Sequence, residues 1–324
     1  MLEKIRWGKT DLSVSPFTLG TGSYGSEIGK EESYAMLDLY REKGGITLDT
    51  ANYYGRIHTR DQLPLSEMII GEWMKDRKNR DELVLCTKGA CYEVNKPGNQ
   101  RLKLKDIKND LHDSLKNLQT DHVDFYWLHQ DDTNEPVEGI IELLNRFIKE
   151  GKIRYFGCSN WKVDRILKAN SYAHENGLHG FSASQVMFNL AVPNQSALDV
   201  LWQSYVDETM FEFHLETGMP LSAYSSQAFG LFNVALRDDY YSNPKYANCI
   251  RYFENDTNKR RILRCKQLAE KMNVTPTQIN LAYLLSQPFQ IIPIIGPLNK
   301  NELMESLDAH SLRLSPGDIH FLTD

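Results

Sequence analysis

The sequence predicts an α/β chain closed into a (β/α)8 barrel of the TIM type. Three observations carry this prediction. Short apolar runs alternate with longer amphipathic stretches from near residue 17 to the C-terminus, the runs number eight, and each is followed by a helical pattern. An open doubly wound sheet would exhaust its strands sooner.

The strands are predicted at 17–20, 46–50, 83–87, 123–128, 153–158, 184–188, 221–224 and 290–294. Helices are predicted at 31–43, 65–76, 104–118, 136–150, 161–176, 196–217, 259–272 and 299–308, with an additional one at 276–286. Thr275 before Pro276 reads as an N-cap, and Glu150-Gly151 and Asn176-Gly177 as helix stops. Ahead of the first strand, 2–6 and 12–14 pair as an N-terminal hairpin that would cap the barrel bottom. The aromatic-rich stretch 227–257 follows the seventh strand, on the face where barrels build their sites. It reads either as a lid or as an irregular structural loop.

One domain over 1–324 accommodates this plan, since α/β barrels run to this length as one unit. No run of eighteen apolar residues is present, so no membrane span is expected. With 37 Lys+Arg against 43 Asp+Glu the net charge is −6, which gives no field to attract nucleic acid. The five cysteines lack C-x-x-C or zinc spacing and read as small buried hydrophobes in a reducing compartment. The charged N-terminus lacks a secretory signal's apolar stretch, so a cytoplasmic protein is expected, and with no zinc spacing among the cysteines no metal is expected.

Strand ends of a barrel share one bowl. The second strand ends in Asp49 with Tyr54 five residues on, the third is followed by Lys88 and the fourth by His129. Each alone has a plain structural explanation: a capping Asp, a solvated Lys, a satisfied His. Together, at successive strand ends, they form a donor set for an oxygen that becomes an alkoxide. A phenol ordinarily titrates near ~10, so Tyr54 needs a neighbour to stabilise its phenolate, and Lys88 is the candidate to lower its pKa. Asp49 would pair with Lys88, and His129 would supply a second donor. Tyr53 reads as a wall residue.

The segments LDTANYYG, CTKGA, WLHQDD, GCSNW, SQVMFN, AYSSQ and IIPIIGPLNKNELMES, in this order, resemble the aldo-keto reductase superfamily. The resemblance implies a barrel that binds an extended nicotinamide cofactor and reduces an aldehyde or ketone to an alcohol. By motif, Tyr54 is the general acid, Lys88 tunes it, Asp49 holds Lys88 and His129 orients the carbonyl. Ser159, Asn160 and Gln185 match residues that bind the carboxamide, and Tyr224 matches the aromatic under the nicotinamide. Gly22, Ser23, Tyr24, Asp49, Ser225, Ser226 and Gly230 join the cofactor set, and Tyr24, Tyr53, Tyr54, His129 and Trp161 the substrate set. Phe229 and the 227–257 loop would complete the bowl, whose partner is a small carbonyl compound. Some relatives are ion-channel β-subunits, so a nicotinamide-binding barrel with little turnover is the alternative.

The adenosine end departs from the family pattern. Gly296, Pro297 and Glu302 stand where many members place Lys, Ser and Arg around the 2′-phosphate of NADPH, and Glu305 matches an adenine contact. NADPH is the cofactor the resemblance implies; the carboxylate of Glu302 favours NADH, while Lys300 and Asn299 could restore phosphate binding. GTGSYG at 20–25 satisfies G-x-G-x-x-G on paper. It lacks the helix that must begin at the third glycine, so its glycines read instead as allowing close approach. AYSSQ in place of the commoner AYSPL leaves Gln227 without an assigned role. Asp131 and Asp132 are adjacent rather than opposed, which argues against a glycosidase.

Overall fold

The computed structural model describes residues 1–56, 62–92, 100–200 and 203–324. Ile5–Arg6 (β1) and Ser13–Val14 (β2) pair antiparallel, with Ile5 opposite Val14. Eight parallel strands then close into a barrel: Thr18–Gly20 (β3), Thr47–Asp49 (β4), Val84–Gly89 (β5), Val123–Leu128 (β6), Ile153–Ser159 (β7), Ser184–Met187 (β8), Leu221–Tyr224 (β9) and Ile291–Ile295 (β10). Closure is made where Ile294 lies beside Thr18. This is the predicted (β/α)8 barrel with its N-terminal hairpin.

The outer helices include Lys30–Glu42 (α1), Leu65–Arg77 (α2), Leu104–Asn117 (α3), Val137–Lys149 (α4) and Val163–Glu175 (α5). Gln195–Val200 (α6) and Glu208–Thr217 (α7) follow β8. Leu231–Val234 (α8), Ala247–Phe253 (α9), Asp256–Met272 (α10) and Pro276–Leu285 (α11) lie between β9 and β10. Lys300–Asp308 (α12) and Pro316–Thr323 (α13) complete the chain. Thr275 caps α11 in a reciprocal box with Gln278, and Gly151 and Gly177, at φ 71° and 65°, follow the ends of α4 and α5.

Two layers of core follow from the two-residue period of the strands. Val84, Cys86, Phe125, Trp127, Ala183 and Ile292 point inward, where Trp7, Leu12 and Val14 of the hairpin join them as a plug. Trp7 stacks on Phe125 with ring centroids 4.5 Å apart. The alternate residues, such as Leu48, Leu85, Tyr126 and Leu128, face the helices.

Three predicted elements differ. The helix expected over 196–217 is two helices, and positions 201 and 202 lie outside the described residues. The chain between them returns to β8: Val206 N–H donates to Met187 O at 3.0 Å, and Asp207 then caps α7. Helix α13 was not expected, although Ser315 and Asp318 form a capping box around Pro316. Within 227–257, the segment carries the short helices α8 and α9 and two single 3-10 turns, Ala228–Gly230 and Pro244–Tyr246.

Candidate active site

The strand period that builds the plug also builds the site. Continuing the inward series of β5 (Val84, Cys86) brings Lys88 inward, and continuing that of β6 (Phe125, Trp127) brings His129 to the mouth. Asp49 ends β4 and Gln185 follows Ala183 inward, so these side chains converge above the plug although they come from different strands. Tyr54 arrives from the turn after β4, where Asn52 N–H donates to Lys88 O at 2.9 Å and fixes that turn against β5.

The ammonium of Lys88 is 1% exposed and reaches three acceptors: the Asp49 carboxylate, Thr50 O at 2.8 Å and Tyr54 Oη at 3.2 Å. An ammonium has three donors and no acceptor. All three are therefore engaged, and the phenolic proton of Tyr54 is left free for another acceptor. Gln185 Nε2 donates to the second oxygen of Asp49 at 3.1 Å. His129 meets Tyr54 edge-on, with ring centroids 5.9 Å apart, and its Nδ1 is buried without a hydrogen-bond partner among the described residues.

Burial sets the acidities here. It pushes the Tyr54 phenol above its ordinary range, against the pull of Lys88. The sequence-based expectation of a lowered phenol is thus corrected: Lys88 acts in the expected direction, and desolvation outweighs it. Burial also opposes the charge of Lys88, but Asp49 and Tyr54 overcome it and hold the ammonium above the usual lysine range. Asp49 is raised by burial against the pull of Lys88. His129 is lowered to about 3 by burial and by the charge of Lys88, so its imidazole is neutral at ordinary pH.

The expected cofactor residues fall into distinct groups. Tyr224 is half-buried at the end of β9, and its hydroxyl donates to Asn160 Oδ1 at 2.8 Å, fixing the ring. Asn160 also accepts from Ser204 N–H and donates to His129 O and Ser159 Oγ, so its amide is fully engaged within the protein. Gly22 is exposed, and a Cβ there would stand 3.9 Å from the Tyr54 ring; Ser23 lies half-buried beside it. Gly230 and Gly296 have open space where a Cβ would be. Ser226 is buried, with its hydroxyl on Ile294 O at 2.6 Å, beside Ser225 at φ 47°. Gln227 joins the β9 loop to α12: its amide donates to Ser306 Oγ and its carbonyl accepts from Gly296 N–H. Pro297 is buried, and Asn299 caps α12. Glu305 accepts from Asn233 at 3.3 Å. A half-exposed tyrosine face, a free phenolic proton and open glycine backbone at the ends of β3, β9 and β10 fit a flat ring joined to phosphates.

Two expected wall residues are placed otherwise. Trp161, at 0% exposure, donates to Gln130 O and packs on Phe181 and Arg165, and Tyr24, at 1%, is buried in the outer core. In this conformation neither offers surface to a ligand; a large apolar side chain near a strand end packs inward more readily than it lines a wet bowl. Tyr53 stays half-buried, and Phe229 is exposed. Tyr92 was not anticipated, and Tyr252 was covered by the 227–257 expectation without being singled out. Burial, then the phenols of Tyr252, Tyr54 and Tyr92, push the Tyr224 phenol up. Tyr92, four residues past Lys88 on the loop after β5, was the legible one. Non-glycine residues with left-handed backbone, Ala90, Asn160, Ser225, Ala228 and Phe229, also gather on these strand-end loops.

The decoy motifs resolve structurally. In GTGSYG, a Cβ on Gly20 would meet Ile294 at 2.7 Å and one on Gly25 would meet Leu65 at 2.4 Å, so both glycines serve packing. Asp131 is held by the Arg165 fork, and Asp132 accepts from Asn134. No group of three His, Cys, Asp or Glu among the described residues is arranged to hold a metal ion, and none of their helices is long and apolar enough to cross a membrane.

The Aldo/keto reductase family model matches residues 16–323. The chain belongs to the aldo/keto reductase family. It is 30% identical to norsolorinic acid reductase of Aspergillus flavus over 99% of this chain and 80% of that protein. Aryl-alcohol dehydrogenase [NADP(+)] of Phanerodontia chrysosporium is 26% identical over 97% and 83% of the two chains. The thermostable aldo-keto reductase Tm1743, solved with the inhibitor epalrestat, superposes with a TM-score of 0.74 at 24% identity over 99% of each chain, a likeness of fold. This aldo/keto reductase is accordingly an oxidoreductase of a family that reduces small carbonyl compounds with a nicotinamide cofactor.

Proposed function

We propose that this aldo/keto reductase, as one barrel unit, reduces an aromatic aldehyde or ketone to the alcohol with Tyr54 as the general acid. The nicotinamide dinucleotide supplies the hydride when bound. Lys88 donates to the Tyr54 oxygen, so the phenol directs its one proton away from Lys88 and stabilisation of the developing phenolate is already in place. Asp49 keeps the buried ammonium paired and fixed. Neutral His129, beside Tyr54, donates from its imidazole N–H to the carbonyl oxygen and sets its approach. Tyr224, oriented by Asn160, offers one face to the ring.

The observation that carries this reading is the three-way engagement of Lys88 beside a phenol with a free proton. An aromatic substrate is supported by the phenols of Tyr53, Tyr92, Tyr224 and Tyr252, which lie within electrostatic reach of one another and whose rings favour offset or edge packing of a flat body. The names of the norsolorinic acid and aryl-alcohol relatives point the same way. The test is a panel of substituted benzaldehydes and aryl ketones against straight-chain aldehydes, with NADH and NADPH. Higher kcat/KM for the aryl series supports the reading. Tight nicotinamide retention with negligible turnover across the whole panel would make the protein a binding subunit instead.

A further inference from the structure

We infer that Glu302 makes this chain select a dinucleotide without a 2′-phosphate, NADH over NADPH. The inference rests on the nicotinamide reading above and concerns the far end of that ligand. Barrels of this kind commonly gather phosphates on the loops after the seventh and eighth strands and on the helix that follows. Here those loops follow β9 and β10, and the helix is α12. Gln227 ties the two loops together, and the open space at Gly230 and Gly296 leaves their backbone approachable.

A phosphate at the start of α12 would need donors and a cation, and part of the turn's donor set, the N–H groups of Leu298 and Glu302 and the side-chain amide of Asn299, is already committed internally. Glu302 Oε2 accepts from Leu298 N–H at 2.8 Å, and Oε1 accepts from Asn299 Nδ2 at 2.8 Å. Asn299 Oδ1 in turn accepts from Glu302 N–H at 3.0 Å. The side chain of Leu298 packs on the hydrophobic core and brings no donor. Charge adds to this. The first two turns carry one lysine, Lys300, against two carboxylates, Glu302 and Glu305, so the local formal balance is negative. A phosphate dianion would displace the carboxylate from its own amides or lie against it, whereas ribose hydroxyls can donate to that carboxylate. Glu302 therefore acts as a specificity-determining residue, discriminating by repulsion as much as by contact.

The experiment measures equilibrium binding of ADP-ribose and 2′-phospho-ADP-ribose by calorimetry, and of NADH and NADPH by fluorescence, without turnover. The wild-type protein is expected to bind the non-phosphorylated member of each pair about tenfold or more tightly, the scale of a close like-charge contact. Glu302→Gln keeps an acceptor for Leu298 N–H and should shrink that gap severalfold, tightening the phosphorylated ligand relative to ADP-ribose. Lys300→Ala should change both members of a pair alike. Equal or tighter wild-type binding of the phosphorylated ligand, or an unchanged gap in Glu302→Gln, overturns the inference. So does a Lys300→Ala loss confined to the phosphorylated ligand. If none of the four ligands binds, the nicotinamide reading itself falls, and the inference with it.

Discussion

Lys88 Nζ lies 3.2 Å from the hydroxyl oxygen of Tyr54 and can only donate to it. The contact therefore orients the phenolic proton without consuming it, and it strengthens as negative charge builds on that oxygen. Tyr54→Phe removes the proton and keeps the ring. The expected outcome is a loss in kcat of ~10²–10⁴ with cofactor affinity nearly unchanged. Single-turnover reduction and cofactor titration on the same sample check it, and wild-type turnover would remove Tyr54 from the reaction.

Lys88→Met would strand the Asp49 carboxylate at 2% exposure. Breaking such a pair from one side costs about 3–5 kcal/mol. Asp49 would then take up a proton in the folded state above its unfolded pKa, so the deficit should be smaller at pH 5 than at pH 8. The double change Asp49→Asn with Lys88→Met should recover a large part of the loss. Urea unfolding at both pH values reads each expectation, and a double variant no more stable than Lys88→Met alone would contradict the buried pair.

His129 governs a pH effect of definite sign. Its folded value of about 3 lies below the ordinary histidine value of 6.5, so the unfolded chain binds the proton first. Stability contributed by this group is whole above pH 6.5 and is lost as pH falls towards 3, at ~1.4 kcal/mol per unit. His129→Gln should flatten the stability curve between pH 6.5 and 4. The same neutrality predicts no histidine limb in the kcat profile between pH 5 and 8. Parallel stability curves for the two proteins would refute the assignment.

Trp7→Ala removes the stacked plug at the barrel's closed end. A loss of ~3–5 kcal/mol is expected from the cavity and the lost burial. The bowl lies at the opposite end of the strands, so kcat in the surviving folded protein should match the wild type. A drop in kcat without a drop in stability would show that the two ends are coupled.

The strands were legible because each barrel strand is a short apolar run bounded by polar turns, and their inward period delivered Asp49, Lys88 and His129 together. The break between α6 and α7 was hidden: no proline or glycine marks it, and the chain leaves the helical path to bond Met187, a contact distant in sequence. Trp161 and Tyr24 look like wall residues by position alone; only packing decides that they turn inward. Tyr252, by contrast, sits on α9 within the 227–257 segment, which was expected to complete the bowl, but nothing in the composition singled out which of its aromatic residues would do so. The net direction of the Tyr54 acidity was equally out of reach, since it depends on how deeply the ring is buried.

The hairpin also bears on the order of assembly. Gly8 N–H donates to the Gln290 side chain 282 residues downstream, and that side chain's Nε2 donates to Arg6 O. On the ribosome the seal is made first and its seat nearly last, so a nascent chain must carry Trp7 without its pocket through most of synthesis. Premature release should yield an unstoppered, collapsed species with this indole exposed, a natural hold point for a chaperone.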